Sequence, residues 1–232
     1  MNSLFADYAP LFANGVWVTL QLTFISSLIG LIFALPLALD ALSRIPLIST
    51  PVASFSYFFR GTPLLIQIYL LYYGLGQFSA ELRQIPWLWN IVKQPYWCAI
   101  IAFSMNTCAY TIEIFKGSFK NTPKGEIEAA IAMGMSKWQI FYRVIFPSGF
   151  RRALPAYSNE VIFMLHGTAQ VFVIALTNLD ILGAANRMKN VTFLQFTPYL
   201  IAACLYLAIT FLLIFIFKKC EKRWLSYLQP AN

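Results

Sequence analysis

No charged residue falls between Asp7 and Asp40, and none between Lys189 and Lys218. Each gap is longer than the ~20 apolar residues with which an α-helix crosses a bilayer core. A helix at the surface of a soluble domain carries a polar stripe at helical period, and residues 28–35, Leu-Ile-Gly-Leu-Ile-Phe-Ala-Leu, carry none. Membrane insertion follows. With 59% hydrophobic and 17% aromatic residues, the rest of the chain agrees.

The net charge of +8 does not point to nucleic acid, because the cations gather in one central segment and in the C-terminal tail, both flanking apolar spans. Cys98, Cys108, Cys204 and Cys220 form no C-x-x-C pair and read as small buried hydrophobes, with no metal or disulfide role. The first apolar run has no basic region before it and no A-x-A-like site after it, so we expect it to remain as a helix.

Five transmembrane helices are predicted, at about Val16–Leu39, Val52–Phe78, Tyr96–Phe115, Pro155–Ala175 and Pro198–Phe217. In the second, Arg60-Gly-Thr-Pro63 either breaks one long helix or starts a shorter span. An odd number of spans puts the termini on opposite sides. Lys116, Lys120, Lys124, Lys137, Arg143, Arg151 and Arg152 share a side with Lys218, Lys219, Lys222, Arg223 and Arg44. Twelve cations there face four on the other side, Arg83, Lys93, Arg187 and Lys189, which predicts the N-terminus outside and the C-terminus inside. Trp87, Trp89, Tyr96 and Trp97 then sit at the outer interface and Trp224 at the inner one.

The long inner loop predicts a helix over Glu126–Met133, with acids in its first turn where the helix dipole favours them. Gly134 ends it, since glycine takes the left-handed conformation of a C-terminal cap. A second amphipathic stretch, Trp138–Phe146, follows and Pro147 stops it. The product is a cytoplasmic knob with exposed Glu128 and with Ala129 and Ala130 small enough for close approach. The alternative is an amphipathic helix lying on lipid.

This stretch resembles the EAA motif of ABC importer permeases: Glu128-Ala-Ala130, Gly134 and Pro147 match in register, Val144/Ile145 fall at the isoleucine position and Phe146 replaces leucine. Three further segments resemble polar amino acid permeases. They are Arg60-Gly-Thr-Pro63 with Gln67, Asn106-Thr-x-Ala109-Tyr110-x-x-Glu113-Ile114-x-x-Gly117, and Leu154-Pro155-x-x-x-Asn159-Glu160. Within that family the chain is most similar to the M-type membrane subunit of histidine/lysine/arginine/ornithine uptake systems. It departs where many relatives have K-D-T-S-L, having His166-Gly-Thr-Ala-Gln170 and so lacking their carboxylate.

The resemblance implies a single transmembrane domain over residues 1–232, in a bacterial inner membrane, with a coupling segment at about 121–150. It makes Glu128, Ala129, Ala130, Gly134 and Pro147 the residues that dock on an ATPase. Two ATP-binding cassette subunits, a second permease or a second copy of this chain, and a periplasmic amino-acid-binding protein are the implied partners. The implied motion is alternating access: the binding protein delivers substrate at the outer loops, and ATP closure in the ATPases moves the knob and opens the helices outward. The chain has no G-x-x-x-x-G-K-[ST] loop, so we expect no cofactor in it, ATP and Mg being held by the partner ATPases, and no enzymatic activity of its own.

Charged groups at mid-bilayer cost about 2.5 kcal/mol or more, so Arg60, Glu113 and Glu160 are expected to face the protein interior. Arg60 can receive a substrate carboxylate, and Glu160 with Asn159 and Tyr157 can accept from ammonium groups. With Gln67, Asn106, Glu113 and Thr168 these form the candidate substrate pathway. The alternative is an internal ion pair of Arg60 with Glu113 or Glu160. His166 reads as a hydrogen-bonded interior residue, and Asp180 and Arg187 as solvated loop charges. The competing function is an ion-coupled secondary transporter, which usually shows two related halves with broken helices, and no second half is present. A membrane enzyme is disfavoured by the absence of H-E-x-x-H or nucleophile-elbow motifs.

Overall fold

The computed structural model describes residues 2–43, 45–174 and 180–224. Eleven α-helices run in order among them: α1 (Asn2–Asp40), α2 (Pro46–Gly61), α3 (Leu64–Tyr69), α4 (Ser79–Leu82), α5 (Pro86–Val92), α6 (Pro95–Lys120), α7 (Lys124–Ala132), α8 (Lys137–Ile140), α9 (Phe146–Gly167), α10 (Ile181–Thr192) and α11 (Thr197–Trp224). Wider turns, Leu70–Gly74 and Phe141–Ile145, extend α3 and link α8 to α9; a tighter 3-10 turn, Thr168–Val173, continues α9. Among the described residues there is no strand.

Three helices are long and apolar enough to cross a membrane: Asp7–Asp40 of α1, α6 and α11. They match the first, third and fifth predicted spans, all three running longer than expected. Burial sorts them. The most apolar window of α6 is 72% buried and that of α11 only 17%, so α6 is the centre of the bundle and α11 lies at its edge.

The central contact is α1 against α6. Gly30 makes it close: a Cβ there would lie 3.1 Å from the Cys108 backbone nitrogen and would overlap the Thr107 methyl group. Thr19, Thr23, Ser26 and Ser27 continue a buried face of small residues along α1, the pattern by which membrane helices approach when lipid supplies no hydrophobic drive. Leu22, Ile68, Phe103 and Met164 fill the core on one side, and Leu165, Ile181, Met188 and Leu213 on the other.

Of the two readings of the second span, the break is the one seen, at Thr62-Pro63, and neither half passes as a membrane span on its own. Several other expectations are corrected. The fourth helix begins at Phe146, nine residues before Pro155, and so contains that proline; its predicted end, Ala175, lies outside the described residues, as does Arg44. The loop expected around Asp180 and Arg187 is instead helix α10. Asp180 is fully buried and caps that helix, accepting from the backbone N–H of Leu182 (3.1 Å) and of Gly183 (3.0 Å). Those bonds make a buried carboxylate tolerable, and Gly15 of α1 packs on its carbonyl. Arg187 is exposed on the same helix. Cys98 and Cys108 are buried as expected, but Cys204 and Cys220 are exposed on the outer side of α11.

Gly30→Val is expected to force α1 and α6 apart and cost about 1–3 kcal/mol. A lowered thermal midpoint of the detergent-purified protein is the measurement; an unchanged midpoint would count against this packing.

Candidate functional site

Two features stand out against this apolar bundle, an open cavity on one face of it that carries charged and amide groups, and the knob formed by α7 and α8. The cavity begins at the break between α2 and α3. A residue before proline is pushed out of the helical region, and Thr62 is extended (φ −111°, ψ 140°) ahead of Pro63. The last carbonyls of α2 are thereby left without partners inside the helix.

Side chains replace the missing donors one by one. The Thr62 hydroxyl donates to the Phe58 carbonyl at 2.9 Å. The buried Gln67 amide donates to the carbonyls of Phe59 (2.8 Å) and Thr62 (3.0 Å). Asn106 of α6 donates to the Phe59 carbonyl at 3.2 Å and to the Gln67 side-chain oxygen at 3.1 Å. The Tyr110 hydroxyl points at the Arg60 carbonyl at 3.5 Å. Two of the sequence signatures, one around Arg60 and one around Asn106, therefore meet as the cap of a single broken helix.

The break opens on a cavity of about 750 Å³. Arg60, Thr62 and Pro63 line it from α2 and the break, Asn106 and Tyr110 from α6, and Asn159, Glu160, Phe163, His166 and Gln170 from α9 and its extension. Arg60 makes no ion pair with Glu113. Its guanidinium lies over the Tyr110 ring, 5.5 Å from the centroid. Glu113 pairs with Lys116, one turn along the same helix, at 3.2 Å, and also accepts from Ser56 at 3.3 Å. The cavity lining thus includes one Arg and one carboxylate, Arg60 and Glu160, together with the amides of Asn106, Asn159 and Gln170.

Of the residues assigned to a substrate pathway, the structure brings Arg60, Asn106, Asn159 and Glu160 together. It places the others elsewhere. Gln67 caps the broken helix, Glu113 lies in the Lys116 pair, and Tyr157 donates to the Ser27 carbonyl of α1 at 3.1 Å. Thr168 is fully buried and bonds back to the Leu165 carbonyl at 2.6 Å. His166 is exposed on the cavity wall, with Nε2 3.0 Å from the Thr210 hydroxyl, rather than interior. Gln170 and Phe163 were not anticipated as lining residues. The signal was there in part, since positions 163, 166 and 170 follow helical spacing from Asn159 along one face.

The knob has the expected turn. Gly134 has φ +72°, its N–H bonds the Ile131 carbonyl (2.9 Å), and the Met135 N–H bonds the Ala130 carbonyl (3.1 Å). These are the paired bonds of a Schellman cap. α8 restarts on a reciprocal cap, with Ser136 Oγ accepting from the Gln139 N–H (3.4 Å) and the Gln139 side chain accepting from the Ser136 N–H (2.8 Å). Two expectations fail here. Pro147 does not stop the second stretch but sits in the first turn of α9, because the wide turn Phe141–Ile145 spares the helix the clash and the missing donor. Ala130 is 1% exposed and faces its own bundle. Glu128 and Ala129 are exposed, together with Ile131, Met133 and Trp138, which form the outward apolar surface.

Three membrane-length helices, a cavity carrying both charges and a capped helical knob are the parts of a membrane permease. Residues 26–226 match the family described as "Binding-protein-dependent transport system inner membrane component", and the chain belongs to that family. It is 42% identical over 220 residues, 94% of this chain and 91% of the relative, to the histidine/lysine/arginine/ornithine transport system permease protein HisM of Escherichia coli (strain K12). It is 38% identical over 208 residues, 90% of this chain and 85% of the relative, to the nopaline transport system permease protein NocM of Agrobacterium fabrum (strain C58). Among solved structures, an amino acid ABC transporter with histidines superposes with a TM-score of 0.84 at 33% identity, covering 94% of this chain and 96% of that one. A chain of the inward-facing MetNI methionine ABC transporter shares the fold, with a TM-score of 0.73 at 18% identity over 92% of this chain and 96% of that one.

Gln67→Leu removes the donor for two carbonyls at the helix break and is expected to cost about 1–3 kcal/mol. Gly134→Ala places a side chain in a left-handed conformation at about 1–2 kcal/mol. Thermal melts of the purified variants check both, and wild-type midpoints would contradict the capping roles.

Proposed function

We propose that this chain is a permease subunit of a binding-protein-dependent ABC importer for polar amino acids of the basic class. It crosses a bacterial inner membrane five times, the broken α2–α3 unit and the proline-containing α9 completing the set begun by α1, α6 and α11. The N-terminus is periplasmic and the C-terminus cytoplasmic. Broken or kinked spans are tolerated in lipid where side chains re-satisfy the backbone, as Gln67, Asn106 and Tyr110 do here. The chain hydrolyses nothing and binds no cofactor; two ATP-binding cassette subunits hold ATP and Mg.

The observation that carries the reading is the pairing of the Gly134-capped knob, with Glu128 and Ala129 presented outward, and a cavity bearing both Arg60 and Glu160. A basic amino acid has a carboxylate for a guanidinium and ammonium or guanidinium groups for a carboxylate. The likeness to permeases named for histidine, lysine, arginine and ornithine, and for nopaline, supports the same substrate class.

A second permease is needed for a physical reason. Arg60, Asn159 and His166 are exposed on one face of the bundle, beside Phe163 at 77% exposure. Hydrocarbon cannot solvate that face, so a homologous permease or a second copy covers it and completes the pathway. A periplasmic amino-acid-binding protein delivers substrate on the outer side, and ATP closure in the ATPases moves the knob and alternates access.

Glu128→Lys is expected to abolish ATP-driven uptake in proteoliposomes while the protein still inserts and purifies; normal uptake would refute the coupling role. Glu160→Gln is expected to raise the KM for arginine about tenfold or more, the worth of one hydrogen bond to a charged group. An unchanged KM would remove Glu160 from the pathway.

A further inference from the structure

Helix α7 of the knob is bounded by two turns, residues 121–123 before it and 133–136 between it and α8. Helix α7 held by turns alone would swing, and a push on it would be lost. Besides the packing of buried Ala130, one side-chain pair opposes this, and a second contact ties α6 to α9 at the same end. Arg152 of α9 donates to Glu126 in the first turn of α7 at 3.2 Å, and its Nε also donates to Ser148 at 3.2 Å, which holds the guanidinium in place. Nearby, the Phe119 ring at the inner end of α6 is 5% exposed and stacks on Phe146 with centroids 6.0 Å apart. It fills the space that a Cβ on Gly149 would need, and the Ser118 hydroxyl donates to the Gly149 carbonyl.

None of these residues lines the cavity, yet all but Glu126 sit on the two helices whose further turns do: Asn106 and Tyr110 on α6, Asn159 and Glu160 on α9. We infer that Glu126 and Arg152, with Phe119 seated against Gly149, are positioning residues that make α7 move as one body with the inner ends of α6 and α9. A load on the coupling segment then reaches the cavity walls instead of bending the turns. This inference rests on the importer reading and extends it to the path of force within this subunit.

The test uses the full complex in proteoliposomes, with its ATPase subunits, second permease and binding protein, and reads arginine uptake per ATP hydrolysed. Glu126→Arg and Arg152→Glu are each expected to lower that ratio about tenfold with ATP hydrolysis retained, and the double exchange to recover it to within about threefold. An unchanged ratio in the single variants, or a double exchange that assembles and hydrolyses ATP yet stays uncoupled, overturns the inference. If charge reversal prevents assembly, Glu126→Gln, which keeps the shape, is read the same way: a severalfold fall supports the linkage and a wild-type ratio overturns it. A wild-type complex that takes up arginine without any dependence on nucleotide would instead overturn the importer reading itself.

Discussion

In a bilayer, a backbone carbonyl released from its helix finds no water, and it must be met by a donor from the same protein. The break between α2 and α3 is arranged around that constraint. Pro63 forces Thr62 into an extended conformation and ends α2 within the bundle. The freed carbonyls of Phe58, Phe59, Arg60 and Thr62 are answered by Thr62, Gln67, Asn106 and Tyr110. The break would be intolerable without them, and without the break Arg60 would not stand at the mouth of a cavity opposite α9. Stability and site are therefore one arrangement.

The same economy of small groups shapes the packing. Gly30 lets α1 lie directly on α6, Gly15 lets it reach the buried start of α10, and Gly149 receives the Phe119 ring. The Gly30 and Gly149 contacts fix α6 and α9, the helices that line the cavity. The knob itself is rigid at its turn, through the Gly134 and Ser136 caps, and anchored at its base. A stiff handle on a close-packed body transmits displacement, since packed interiors switch between arrangements rather than deforming smoothly.

Much of this was legible in the chain. The charge-free runs located α1 and α11, Gly134 located the turn of the knob, and the matched segments pointed to Arg60, Asn106, Asn159 and Glu160. What misled was local reading of residues whose roles are set at a distance. Pro147 looks like a stop, but the wide turn before it carries the chain on into α9. Asp180 looks like a loop charge, but it caps a buried helix against α1. Glu113 looks like a partner for Arg60, but Lys116 is one turn away on the same helix.

The sequence by itself determined that this is a membrane-spanning helical protein with a glycine-capped segment among its cations, because hydropathy, charge distribution and left-handed glycine turns are local properties. Only the tertiary structure decided which polar residues hold helices together and which face a shared space. Gln67 and Asn106 carry the same amide, separated by 39 positions, and just the fold shows that Gln67 is spent on the backbone while Asn106 also reaches the cavity. Hydrogen-bond partners of that kind are chosen by the packing of α2, α6 and α9, which no stretch of the chain encodes alone.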